Sequence, residues 1–280
     1  MGSKFQYTTA IKKGFNVVFT EMADLRTNSK FLIPNPIPIG CIMLVYVSFI
    51  LWIGPRLMKD RKPNKLWKLY FLYNFLMAIL NLKLFYKGLQ YWWYDFNSMC
   101  EPLSRIRTEG SIELADYVYL HFIVKVIDLL HTVLLIISKR NHTTYPHIFK
   151  HALFIGTSWC CVKYYPGSHC VFFAFVDSAI NLIVYVAFLV TYEMNPYDRY
   201  WTWKKRVISI KIIHYQILFL HLLELLTYGC DYPKLHVLII IPISFFVTNA
   251  YLNYDHEDKI DEFFRLMKEE EAPKKYKFPS

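Results

Sequence analysis

Polar side chains at helical spacing in one apolar stretch are the first candidates for chemistry. They are Lys125, Asp128, His131 and Thr132. Their steps of three and four residues predict one shared face on a helix that is otherwise apolar. Ionisable groups inside a membrane-length apolar helix are costly, so they commonly mark a functional site. The alternative is a buried polar network that only holds neighbouring helices together.

Basic and imidazole side chains follow this stretch. Lys139 and Arg140 come first, and His147 and His151 are then spaced to lie one helical turn apart. Imidazole is a nucleophile and an acid–base group near neutral pH. The two histidines are therefore candidates for catalysis. A metal site is not predicted, because one loosely spaced pair without a second histidine cluster is a poor ligand set.

Another apolar stretch carries Lys211 and His214, which share a helical face because they are three residues apart. Polar groups inside a membrane point inward whether they line a pocket or bind a neighbouring helix. Both roles stay open for this pair.

Composition predicts an all-α integral membrane protein. The chain has 280 residues, of which 55% are hydrophobic, and its mean hydropathy is +0.22. A helix needs roughly 20 apolar residues to cross a bilayer. Seven stretches are predicted to do so: 39–54, 66–86, 117–137, 147–164, 171–192, 207–227 and 235–252. They leave an N-terminal segment at 1–33, a membrane domain at 34–254 and a charged tail at 255–280.

The net charge of +10 comes largely from short Lys and Arg clusters between the apolar stretches. This distribution is typical of cytosolic loops that face anionic lipid, and it does not favour nucleic acid as a partner. The positive-inside rule then predicts a lumenal N-terminus and a cytosolic C-terminus.

The stretch from Lys125 to His151 resembles the signature of the very-long-chain fatty acid elongases, the membrane-bound condensing enzymes of the endoplasmic reticulum. That family reads roughly K-x-x-E-x-x-D-T, followed by a basic loop and then H-x-x-H-H. Lys125 and Thr132 match, Asp128 stands for the glutamate, and His131 replaces the aspartate. The histidine box reads H-I-F-K-H, with Lys150 where the family has its middle histidine.

The resemblance extends over nearly the whole chain after residue 35. Further matching pieces are Asn35–Pro38, Gly54–Pro55, Arg61–Pro63, Tyr73–Asn74, Trp203–Lys205 and Cys230–Lys234. Their order and spacing together identify the chain as a member of the family.

Membership implies a fold and a reaction. Six of the seven helices would form a barrel around an acyl tunnel, whose cytosolic mouth takes coenzyme A. The reaction would condense malonyl-CoA with an acyl-CoA to 3-oxoacyl-CoA with loss of CO2, and no cofactor would be bound. The chain would lie in the endoplasmic reticulum membrane with the ketoreductase, dehydratase and enoyl reductase of the elongation cycle, or with further copies of itself.

The resemblance also assigns candidate substrate-binding residues. They are Lys125, Asp128, His131, Thr132, Lys139, Arg140, Lys204, Lys205, Lys211 and His214. Basic side chains of this kind attract the anionic head group of coenzyme A.

Two histidines that the family uses in covalent catalysis are replaced, by Lys150 in the box and by Asn181 in an N-S-x-x-H pattern on the next helix. A lysine would form a stable amide with the acyl group, and asparagine is not a useful nucleophile. The candidate catalytic set is therefore His147 and His151 as acid–base groups, Lys150 as a cation and Asn181 as a hydrogen-bond donor. The alternative is a non-catalytic relative that binds acyl chains or pairs with active elongases.

Two cysteines, Cys100 and Cys230, fall in loops that the predicted topology places in the lumen. Because that compartment is oxidising, a disulfide between them is predicted.

Overall fold

The computed structural model describes residues 12–61, 67–94, 105–137, 145–190, 196–228 and 248–249. Within these ranges the chain is largely helical and has no β-strand. The long helices, in chain order, are α1 (Pro36–Met58), α2 (Trp67–Tyr94), α3 (Glu109–Ile137), α4 (Tyr145–Tyr164), α5 (His169–Val190) and α6 (Pro196–Thr227). The prediction of an all-α protein is confirmed for this part of the chain.

In the described part of the chain, five helices are long and apolar enough to cross a membrane: α1, α2, α3, α5 and the Ser209–Thr227 part of α6. Their mean hydropathy reaches 2.2 in α1 and 2.1 in α3 and α5. The multi-pass membrane character predicted from composition is therefore confirmed. α4, which corresponds to the fourth predicted span, is not among the five and carries several charged and imidazole residues. The seventh predicted span, 235–252, lies outside the described residues except for 248–249.

Local sequence fixes both ends of α1. The side-chain oxygen of Asn35 accepts a hydrogen bond from the backbone N–H of Ile37 at 2.9 Å, and Pro36 occupies the first turn, where its missing N–H costs nothing. Near the other end a π-helical turn, Phe49–Ile53, precedes Gly54. A Cβ on Gly54 would lie only 2.9 Å from Ile136 Cγ2, so this glycine lets α1 approach α3 closely.

α3 is the central helix of the bundle. It contacts α1, α2, α4 and α5, while α2 packs along α5 and α5 also contacts α6. Its apolar residues Val118, Phe122 and Leu129 belong to the buried core. Because α3 has neighbours on several sides, its polar residues Lys125 and Asp128 are buried among helices rather than exposed to lipid.

Residues 22–34, here called the N-terminal strap, cross the bundle where α4 ends. The indole N–H of Trp159 donates to the Leu32 carbonyl at 2.9 Å. Lys163 Nζ donates to the side-chain oxygen of Asn28 at 2.6 Å and to the Pro34 carbonyl at 3.0 Å. Leu32 has a left-handed backbone (φ 67°), and the strap is therefore held in an irregular path by contacts with α4.

The strap also reaches the start of α3. Arg26 and Asp24 form an ion pair at 2.7 Å, with side chains only 3% and 2% exposed. Arg26 donates in addition to the carbonyls of Ser111 at 3.3 Å and Pro166 at 3.1 Å. One guanidinium thus joins the strap to α3 and to the turn between α4 and α5.

Candidate active site

A small, partly open pocket lies between α3, α4, α5 and α6, and its enclosed volume is only about 10 Å³. Its lining residues are Lys125, Asp128, His151, Phe154, Ile155, Asp177, Asn181, Lys211 and Tyr215. Five of these were predicted from the sequence, and they come from four helices. The structure therefore brings together side chains that lie up to 86 positions apart, from Lys125 to Lys211.

Asp177 of α5 is the centre of the polar network. Its Oδ2 atom accepts hydrogen bonds from His121 Nε2 at 3.0 Å and from Asn181 Nδ2 at 2.8 Å. The same oxygen forms an ion pair with Lys125 Nζ. His214 Nε2 lies 3.9 Å from the other carboxylate oxygen. A buried carboxylate needs a paired charge and hydrogen-bond donors, and the residues of α3 and α5 supply both.

Asn181 is a bridge between α5 and α6. While its amide nitrogen donates to Asp177, its amide oxygen accepts from Lys211 Nζ at 2.8 Å. The amide is engaged at both ends, so its geometry suits an orienting role rather than a nucleophilic one. A continuous series of contacts consequently runs from Lys211 through Asn181 and Asp177 to Lys125.

A second carboxylate, Asp128, lies on the same pocket. The hydroxyl of Tyr185 donates to Asp128 Oδ1, and His151 Nδ1 lies 3.8 Å from Asp128 Oδ2. All three side chains are buried. The ring of Tyr46 meets the His151 ring edge-on, with the centroids 6.4 Å apart. His151 is thus held between α1 and α3 on one wall of the pocket.

His131 is separated from the other candidates on α3. Its Nε2 atom lies 3.0 Å from the Tyr70 hydroxyl, and the rings of Tyr73, Tyr185 and Phe188 surround it. His131 therefore lies against the tyrosines of α2 and α5, and it is not among the residues that line the pocket. Because His131 comes six residues after Lys125, the two side chains point about 120° apart around the helix. Thr132 is fully buried but, like His131, is not among the lining residues.

Other predicted site residues lie wholly or partly outside the described part of the chain. The backbone of His147, Lys150, Lys204 and Lys205 is described, as parts of α4 and α6, but their side chains are not. Lys139, Arg140, Cys100 and Cys230 fall entirely outside it. Their roles, and the disulfide, stay predictions. The described residues contain no group of three or more His, Cys, Asp or Glu able to hold a metal ion.

A family model described as ELO, the GNS1/SUR4 family, matches residues 31–255. The chain belongs to this family. The resemblance found in the ordered motifs is therefore confirmed.

Relatives of this ELO-family chain are similar along most of its length. Very long chain fatty acid elongase 1 of Mus musculus is 28% identical over 257 residues, covering 90% of this chain and 92% of that protein. The Homo sapiens protein of the same name is 27% identical over the same shares of both chains. Very long chain fatty acid elongase 7 of Drosophila melanogaster is 26% identical over 264 residues, covering 90% of this chain and 80% of that protein.

Among the residues of the ELO-family pocket region that were not assigned roles from the sequence are His121, Asp177 and Tyr185. His121 lies one helical turn before Lys125, so helical spacing could have identified it. Asp177 is an ionisable residue in an apolar span, and such residues commonly mark a site. Tyr185 has no such signal, because tyrosine is common throughout this chain. Only its contact with Asp128 distinguishes it.

Proposed function

We propose that the chain is a fatty acid elongase that condenses malonyl-CoA with a long-chain acyl-CoA to 3-oxoacyl-CoA, with release of CoA and CO2. One observation carries this proposal. A member of the ELO family has two lysines, two carboxylates and His151 gathered around a single buried pocket. Fixed charges in a water-poor site stabilise charge that develops during a reaction.

The proposed chemistry needs no base to begin. Loss of CO2 from malonyl-CoA leaves an enolate, which attacks the carbonyl carbon of the acyl thioester. Lys125 and Lys211 are held in place by Asp177 and Asn181, so cationic donors are oriented before a substrate binds. Such preorganised donors favour the enolate and the tetrahedral intermediate. His151 lies on the same pocket and is the described side chain best suited to give a proton to the leaving CoA thiolate.

The proposed route is direct and forms no acyl-enzyme. Lys150 and Asn181 replace the two histidines that the family uses for covalent catalysis, and Asn181 is bonded at both ends of its amide. A ternary complex of both substrates is therefore the expected intermediate.

The proposal includes a cellular setting. Seven membrane helices, six of them around the acyl tunnel, would place the CoA-binding Lys139, Arg140, Lys204 and Lys205 at the cytosolic mouth. The N-terminus would be lumenal and the C-terminus cytosolic in the endoplasmic reticulum. The three remaining enzymes of the elongation cycle, and further copies of this chain, are the proposed partners.

A second candidate function is a non-catalytic protein that binds acyl chains or pairs with active elongases. The doubly bonded amide of Asn181 favours it, because a side chain fixed in this way stabilises a pocket without reacting. Both candidates keep the fold and differ only at the site.

Release of labelled CO2 from malonyl-CoA by the purified protein, with a panel of acyl-CoAs, tests the proposal. Acyl-dependent release that falls steeply but stays measurable in His151→Ala supports condensation at this pocket. No release from the unmodified chain, with turnover restored by Lys150→His/Asn181→His, would instead support the non-catalytic candidate.

A further inference from the structure

Asp128 lies between two groups that belong to different helices. On one side the hydroxyl of Tyr185 from α5 donates to Asp128 Oδ1. On the other side His151 Nδ1 from α4 lies 3.8 Å from Oδ2. Asp128 and His151 line the pocket, whereas Tyr185 does not and is 4% exposed. The contacts therefore run from Tyr185 through Asp128 to His151, and both Asp128 and His151 reach the pocket.

We propose that Tyr185 and Asp128 are positioning residues that orient the His151 ring for proton transfer to the leaving CoA thiolate. The inference rests on the proposed condensation and adds the groups that act through His151. A hydrogen bond from the hydroxyl fixes the rotamer of the carboxylate. The carboxylate in turn faces Nδ1 of the His151 ring and restrains its orientation.

The step balances as follows. The enolate formed by loss of CO2 attacks the acyl carbonyl carbon and forms the new carbon–carbon bond. When the tetrahedral intermediate collapses, the carbon–sulfur bond breaks and its electron pair remains on the CoA sulfur. The protonated His151 ring gives its proton to this thiolate, which yields CoA, and the ring takes up another proton from solvent. Acyl-CoA, malonyl-CoA and one proton thus give 3-oxoacyl-CoA, CoA and CO2.

Neighbouring tyrosines differ from Tyr185 in their partners. Tyr70 contacts His131, and Tyr73 donates to the backbone carbonyl of Ile127 at 3.5 Å. Tyr73 also packs edge-on against Tyr185, with the ring centroids 6.3 Å apart, and so holds the Tyr185 ring in place. Tyr70→Phe is therefore a matched control, because it removes a tyrosine hydroxyl from the same region whose hydrogen-bond partner is His131.

The test measures kcat and KM for acyl-dependent CO2 release by the full-length protein in lipid nanodiscs. Tyr185→Phe is expected to lower kcat about tenfold and to leave KM within about twofold, since it removes orientation and not substrate contacts. Asp128→Asn is expected to lower kcat about 100-fold, and Asp128→Glu to recover part of that loss because it keeps the carboxylate. Tyr70→Phe should leave kcat within about twofold.

A double substitution separates positioning from general loss of structure. If Tyr185 acts through His151, then His151→Ala/Tyr185→Phe is no slower than His151→Ala alone. Multiplied losses, or an unchanged kcat in Tyr185→Phe, would overturn the positioning role while the condensation stands. No acyl-dependent release from the unmodified protein would overturn the condensation itself, and the positioning role with it.

Discussion

The bundle contains two buried polar networks that differ in whether backbone carbonyls take part. At the N-terminal strap each cation binds one side chain and also the backbone: Arg26 binds Asp24 and the carbonyls of Ser111 and Pro166, and Lys163 binds Asn28 and the carbonyl of Pro34. At the pocket the cations bind other side chains, Lys125 through Asp177 and Lys211 through Asn181.

This difference separates a structural network from a site. A backbone carbonyl has a position fixed by the fold and cannot change its charge, so a cation bound to it serves to join segments of chain. Side-chain acceptors can rotate or exchange partners when a charged ligand enters. We therefore expect the strap network to contribute mainly to stability, and the pocket network to be able to rearrange around a charged ligand.

The largest expected effect is that of Asp177→Leu. It leaves Lys125 buried without its carboxylate, which is expected to cost about 3–5 kcal/mol in the free energy of unfolding. The thermal midpoint of the detergent-solubilised protein checks this. Lys125→Met/Asp177→Leu is the control, because replacing both charges by apolar residues should recover part of the loss, while His121 and Asn181 still lose their acceptor. Equal midpoints for Asp177→Leu and the parent would show that the pair contributes nothing.

Arg26→Met should have the next largest effect, and it should act on stability alone. Loss of charge-assisted hydrogen bonds to the carboxylate of Asp24 and to two carbonyls is expected to cost about 2–3 kcal/mol. Ligand binding or CO2 release per folded molecule should stay within about twofold of the parent, because the strap lies away from the pocket. A selective loss of activity at full stability would contradict the division between the two networks.

Gly88→Ala tests the apolar packing between the two networks. A Cβ at this position on α2 would lie 2.5 Å from the Tyr117 hydroxyl and 2.9 Å from Phe175 Cβ, so α2 would have to move away from α5. The expected cost is about 1–2 kcal/mol, measured as a lower thermal midpoint. Gly156→Ala on α4 meets nothing within 4 Å and is the control. Identical midpoints for the two variants would mean that this packing relaxes freely.

The smallest effect is expected at the exposed edge of the strap. Lys30 and Asp116 form an ion pair at 2.6 Å, but their side chains are 25% and 54% exposed. Lys30→Gln should therefore change stability by less than about 1 kcal/mol, and the difference should shrink at high salt. A salt-independent loss as large as that of Arg26→Met would show that burial is not what distinguishes the two pairs.

Hydropathy and helical spacing predict the parts of the structure that depend on nearby residues. The spans follow from hydropathy, and the inward position of Lys125 and Asp128 follows from helical spacing and from the cost of exposing charge to lipid. His131 lies six residues after Lys125 and contacts α2 instead. Partners distant in sequence cannot be found in this way. Asp177 is 52 positions after Lys125, and Tyr185 is 57 positions after Asp128.

The strap was equally inaccessible to sequence reasoning. It has no hydrophobic period, and its path depends on acceptors such as the Val162 carbonyl, which binds Thr27 from 135 positions away. Its left-handed residue is a leucine rather than a glycine, so composition gives no hint of that turn either.

The strap also fixes the parity of the membrane crossings. It precedes α1, yet it binds both the start of α3, through Ser111, and the end of α4, through Lys163. Segments that touch lie on the same side of the membrane, so the chain must cross an even number of times between the strap and the start of α3, and α1 and α2 supply two crossings. For the same reason, the number of crossings between the strap and the end of α4 must be even. If α1, α2 and α3 each cross once, we expect α4 to cross too, and its 20 residues reach about 30 Å, the thickness of the hydrocarbon core.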